Sequence, residues 1–225
     1  MANTVTLADL RTRCRERADQ EESEFVSATE LLSYINASYA ELYDILVSKF
    51  EDYYTLSTTT TIASGSNTFS LPTDFYKLRG LDYKLSATDW QTVQKFNFSE
   101  RNSVNRSISR SRSGDKAVEY RIVGSTMHIE PADNAAGTYR IWYTPAYTPL
   151  TEETDTVDGV NGWEEYIIID VAIKMMAKEE SSTTHLEREK AAMLNRIESM
   201  AQNRDSGAPE SISDVEGMYI DSRIF

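Results

Sequence analysis

Catalysis or metal binding in this sequence would have to start from two histidines, one cysteine and a surplus of carboxylates. His128 stands between Met127 and Ile129 in an alternating stretch, and His185 falls in the first turn of a helix. Neither has a second histidine or cysteine at ligand spacing, so no metal site is expected. Cys14 shares a helical stretch with Leu7, Leu10 and Ala18 and reads as a small core residue, since a thiol nucleophile needs a basic partner to lower its pKa. A single cysteine also excludes an internal disulfide. Glu152 and Glu153 resemble the carboxylate pairs of glycosidases. On an acidic loop both read as solvated, with nothing to raise the pKa of a general acid. No nucleophile elbow, phosphate-cradling glycine loop or dinucleotide fingerprint is present, and Asp155 with Asp158-Gly159 lacks calcium-loop spacing. The reading is a chain with no catalytic residue, no metal and no cofactor.

Two stretches carry the chemistry of contacts instead. Arg101, Arg106, Arg110, Arg112 and Lys116 form the one basic concentration, interrupted by a single acid, Asp115. Without interleaved aromatics for base stacking, the segment reads first as a solvated loop, then as a protein contact, then as a nucleic-acid contact. Past Pro209 no helix is expected, yet Ile212, Val215, Met218, Tyr219, Ile220, Ile224 and Phe225 keep appearing, where a disordered tail is usually depleted in such residues. This tail docks on something: either its own domain, or a partner's groove in which main-chain hydrogen bonds and alternate side chains give affinity.

The elements that carry these stretches alternate in type. Thr6 caps a helix running to about Ala18, with Asp9 in its first turn. Ser27-Ala28-Thr29-Glu30 is a capping box flanked by Val26 and Leu31, and Leu31, Tyr34, Ile35, Ser38, Tyr39, Leu42, Ile45, Leu46 and Phe50 keep helical spacing after it. From Tyr54 to Ile62 β-branched residues favour a strand. Thr68–Leu71 is a second strand, Asp74–Leu78 a helical turn and Arg79–Leu85 a third strand; residues 86–99 are ambiguous. Val118, Tyr120 and Ile122, then Met127 and Ile129, then Tyr139, Ile141 and Tyr143 alternate as an antiparallel meander. Thr144–Gly162, with Pro145, Pro149 and several acids, reads as a linker returning to a helical hairpin.

The first arm of that hairpin, Tyr166–Ala177, is apolar except for Asp170 and Lys174, which stand four apart. Asn161 with Glu164 is its expected cap, and Thr184 with Glu187 that of the second arm, where Leu186, Met193 and Met200 repeat every seven residues. The first arm wants more cover than its partner can supply. Two charges and a short run argue against a membrane span, so the cover has to be protein.

The fold expected is α+β: an antiparallel bundle of about four helices with an inserted antiparallel β domain and an extended C-terminal tail. Residues 1–52 hold the N-terminal helices, 53–145 the β domain, 146–204 the linker and hairpin, and 205–225 the tail. A formal net charge of -13 repels phosphate backbones, which suits either plain solubility or a surface that DNA must pass without sticking. The 13 tyrosines read as strand and interface material. The N-terminus lacks a signal-peptide pattern, so synthesis in a reducing cytoplasm is expected.

In this order of parts the chain resembles the head-to-tail adaptor proteins of tailed bacteriophages, and similar arrangements occur in tail tubular proteins of short-tailed phages. The resemblance rests on Ser27–Phe50, the Phe69-Ser70-Leu71-Pro72-Thr73-Asp74-Phe75-Tyr76 and Tyr139-Arg140-Ile141-Trp142-Tyr143-Thr144-Pro145 stretches, the Gly162–Tyr166 entry and the Asn203-Arg204-Asp205 exit of the hairpin. It implies a structural virion protein in a ring, usually dodecameric, made in the host bacterial cytoplasm and placed at the neck below the portal protein. Such a ring extends the DNA channel, helps retain packaged DNA without sequence-specific binding, and offers a platform for the tail or nozzle. Neighbouring copies would then cover the apolar arm, and the tail, Met218–Phe225 in particular, would thread into the portal. Two other functions are weighed: a tail accessory protein with peptidoglycan hydrolase activity, on the spare acids, and a nucleic-acid binder, on the Arg101–Lys116 loop.

Overall fold

In the computed structural model, which describes residues 4–21, 25–101 and 118–202, helix starts follow the capping residues closely at the N-terminus and less closely further on. Strand β1 (Thr4–Thr6) leads into α1 (Leu7–Arg17), whose cap Thr6 accepts from the Asp9 amide at 3.1 Å. Helix α2 (Ala28–Lys49) is capped by Ser27, which accepts from the Glu30 amide at 3.3 Å, and Val26 and Leu31 are both buried beside it. Its buried face includes Tyr43 and Val47, two positions outside the apolar set read from the sequence.

Two four-stranded sheets follow. One runs β2 (Leu56–Ile62), β9 (Gly137–Pro145), β4 (Phe75–Lys84), β5 (Trp90–Thr92); the other runs β3 (Thr68–Ser70), β8 (Thr126–Glu130), β7 (Glu119–Val123), β6 (Gln94–Lys95). The mixed α+β class is therefore observed, but the meander is not. β7 and β8 form the expected hairpin, whereas β9 leaves it and pairs between β2 and β4. Alternation fixes which side chains go inward and says nothing of which neighbour a strand takes. β6 and β7 pair in parallel. The helical turn expected at 74–78 is instead the start of β4, which meets β9 through two register shifts, between Phe75 and Lys77 and between Leu78 and Gly80. The ambiguous stretch 86–99 holds β5, β6 and the start of a 3-10 turn at Phe98–Glu100.

The return segment does more than link. Its β10 (Thr156–Asp158) pairs antiparallel with β1, and the carbonyls of Asp155 and Glu153 accept from the Leu7 and Ala8 amides at 2.8 and 3.2 Å, satisfying free donors at the start of α1. Asn36 on α2 bonds both backbone groups of Leu150, at 3.0 and 2.8 Å. Helix α3 spans Glu165–Lys178 and α4 spans Thr184–Gln202. Asn161 does not cap α3: it lies at φ 53° in a 3-10 turn, and Glu164 precedes the helix without a side-chain cap bond. For α4, Thr183 rather than Thr184 stands in the cap position, its carbonyl accepting from the Glu187 amide at 3.0 Å and its hydroxyl donating to the Glu187 carboxylate at 2.7 Å.

The core falls into two clusters. One joins the four helices with Val5, Leu150 and Val157; the other is built from the sheets around Leu81, Met127, Ile129, Tyr139 and Ile141. α1, α2 and α4 all pack on α3, and Tyr166, Ile167, Ile168, Ile169, Val171, Ala172 and Met175 are buried by them. The arm does need more cover than its hairpin partner gives, and two further helices of the same chain supply it, where neighbouring copies were expected to.

Candidate functional site

The catalytic candidates are dispersed. Cys14 is fully buried, and burial pushes its thiol up to about 12, so at neutral pH it stays protonated and unreactive. Glu152 and Glu153 are exposed, and Glu153 is ion-paired with Arg11. Asp155 accepts from the Thr151 and Glu152 amides at 2.7 and 2.9 Å, which holds its carboxyl below the usual range and explains the residue as a turn-former. His128 pairs across the sheet with Thr68 and Arg121, and His185 is exposed on α4. Among the described residues no three His, Cys, Asp or Glu side chains converge on a metal position.

What α3 does bring together is a polar knot inside the helical core. Asp170, only 5% exposed, takes Lys174 at 2.6 Å and Lys190 of α4 at 2.8 Å, while Ser38 of α2 lies 2.6 Å away. Ser38 has one proton for two acceptors, and the carboxylate wins it over the Tyr34 carbonyl at 2.9 Å because a charged acceptor binds more strongly. Burial alone would raise the Asp170 carboxyl; bonds from Lys174, Lys190 and Ser38 outweigh it and hold the group below the carboxylate range. Lys190 also reaches Glu41 at 3.2 Å and stands 5.0 Å over the Tyr166 ring, whose hydroxyl donates to Glu41 at 2.7 Å. The Asp-to-Lys pair was visible in the sequence; its third and fourth partners, from α2 and α4, were not. The knot ties three helices together, with both Asp170 oxygens engaged.

Where the helices meet the sheets, five tyrosines line an open cleft of about 340 Å³ together with Leu56 and Pro145. Tyr43 and Tyr54 stack with ring centroids 4.5 Å apart, Tyr54 meets Tyr53 at 4.6 Å, and Tyr39 meets Tyr147 edge-on at 5.7 Å. Tyr43 donates to the Pro145 carbonyl at 2.6 Å and Tyr53 to Asp158 at 2.9 Å. Burial, with nearby acids behind it, pushes the Tyr43 hydroxyl up to about 12 and raises Tyr39 and Tyr54 as well. Leu56 stands at the rim 51% exposed. Sequence reading treated the tyrosines as interface material in general; the signal for this cluster was Tyr39 and Tyr43 one helical turn apart, with Tyr53-Tyr54 just past the end of that helix.

Of the expected contact residues, Arg101 donates to the Phe98 carbonyl at 3.0 Å and stacks 4.7 Å over the exposed Phe98 ring, which Arg121 also approaches, at 5.4 Å. Arg106, Arg110, Arg112 and Lys116 lie outside the described residues, as do the tail residues Ile212, Val215, Met218, Tyr219, Ile220, Ile224 and Phe225.

A polar knot that braces three helices, a buried thiol and an aromatic cleft where helices meet sheets are the features of this mixed α+β fold. The chain matches the family model described as SU10 adaptor protein over residues 5–213, and it belongs to that family, a phage head-to-tail adaptor family. No curated protein matches it. Among the described residues no helix is long and apolar enough to cross a membrane.

Proposed function

We propose that the protein forms a ring at the virion neck, bound below the portal protein, where it extends the DNA channel and presents a platform to the tail or nozzle. The observation that carries this is the family match across residues 5–213. Two further features support it. A net charge of -13 suits a channel wall that packaged DNA passes without binding. The apolar residues from Ile212 to Phe225 suit a segment that lies in a groove of the portal, where many copies acting together offset the entropy of ordering each one. The two core clusters support a division into helical parts, 1–52 and 146–204, around a β domain, 53–145, with 205–225 as the portal-docking tail.

The test is the mass of the protein alone and with purified portal protein. A closed ring on the portal is expected. Binding of one isolated copy, or no complex, would refute the reading. Deleting residues 206–225 should leave a folded chain that no longer binds portal, and undiminished binding would remove the tail from the account.

A further inference from the structure

We propose that the tyrosine cleft is the seat of the basic segment 103–117 of a neighbouring copy, an inference that rests on the ring reading. The cleft is apolar and aromatic, no cation lines it, and acids lie beside its tyrosines: Asp158, bonded to Tyr53, and Asp44 and Asp74, whose charges act on Tyr43. Tyrosine faces beside carboxylates form a seat for a guanidinium or ammonium group. The protein already uses this chemistry elsewhere, with Arg101 on Phe98 and Arg140 stacked 4.3 Å over Trp90.

Charge complementarity selects the occupant. Several cations of the folded body are paired with acids: Arg11 with Glu153, Arg13 with Glu164 and Glu165, Lys49 with Glu198, Arg79 with Glu51 and Asp52, and Lys178 with Glu30. Arg106, Arg110, Arg112 and Lys116, by contrast, sit in sequence against the single acid Asp115. The ring reading assigns the segment to a neighbour's cleft, since it is rooted on the other sheet from the cleft of its own chain. It leaves the chain beyond β6, the edge of the second sheet, and returns at β7 beside it, whereas the cleft borders β2 and β9 of the first. With 16 residues between Arg101 and Val118, it reaches at most about 29 Å from its roots. In a ring, a basic arm entering the acidic aromatic cleft of the next copy is a head-to-tail contact that closes the circle.

The test is calorimetric titration of a peptide of residues 103–117 into the full chain carrying Arg106→Gln, Arg110→Gln and Arg112→Gln, so that its own segment does not compete. Binding that weakens with added salt is expected, and Tyr54→Leu should lose about tenfold in affinity. Tyr147→Ala, on the linker, gives the same readout should Tyr54→Leu fail to fold. Equal binding by a peptide whose arginines are replaced by glutamine, or no effect of either tyrosine variant, rejects the seat. A photo-reactive side chain at position 147, in rings assembled from heavy- and light-isotope copies, reads the source of the occupant. Cross-links between heavy and light chains are expected, and cross-links within single chains alone reject the neighbour. A missing ring by mass would sink the ring reading while the peptide titration still reports on the cleft.

Discussion

Asp170 is the residue whose loss the helical core feels most. Asp170→Ala takes the carboxylate from Lys174 and Lys190 and leaves Lys174 without an acid, and a buried pair broken on one side costs about 3 kcal/mol; a urea melt with unchanged slope and a lower midpoint would show it. Its titration has a definite sign. The native carboxyl lies below its ordinary 3.8, so its contribution is complete above that value and is lost as pH falls towards the native pKa. For Lys190 burial favours the neutral form, but the bonds to Asp170 win and raise it above 10.5, so its contribution is complete below 10.5 and fades as pH climbs past it. Stability should therefore plateau between these limits, and Asp170→Asn should flatten the acid limb; an unchanged acid limb would show that other carboxylates set it. Cys14 gives an independent readout. With its thiol buried and pushed up to about 12, labelling by a disulfide reagent at pH 8 should proceed only as fast as the helical core opens, and rapid labelling of native protein would contradict the burial described.

Two turns show how closely local chemistry was legible among the elements. Ser27 caps α2 as the sequence predicts, and Ser27→Ala should cost about 1 kcal/mol, read by thermal melting; no change would mean that the buried pair of Val26 and Leu31 sets the helix start alone. Gly137, where the chain enters β9, is needed for a reason the sequence does not carry. Its φ of 146° belongs to glycine, and a Cβ there would meet the Tyr83 ring, which is itself wedged 5.2 Å from Tyr139. Gly137→Ala should lose about 2 kcal/mol in the melt. Adding Tyr83→Ala should then recover the steric part of that loss and not the backbone part; full recovery would mean that no backbone strain existed.

For the whole molecule, the acidity makes a prediction opposite to that of the basic segment: duplex DNA at low salt should show no measurable retention. Salt-sensitive retention, lost on neutralising Arg101–Lys116, would favour the nucleic-acid reading instead. By itself the sequence determined the mixed α+β class, the starts of the first two helices and the inward residues of the hairpin and of β9, because caps and periodicity act over a few residues. It also carried enough of the pattern to resemble the adaptor family to which the chain belongs. Only the tertiary structure decided that β9 joins β2 and β4, that β10 reaches back to β1, and that α1, α2 and α4 wrap α3 without help from another copy. It alone brought Ser38 and Lys190 to Asp170, and Tyr147 to Tyr39, from positions 132, 20 and 108 residues away in the chain. Partnership at that range depends on which surfaces remain uncovered once each element has formed, and no local spacing records that.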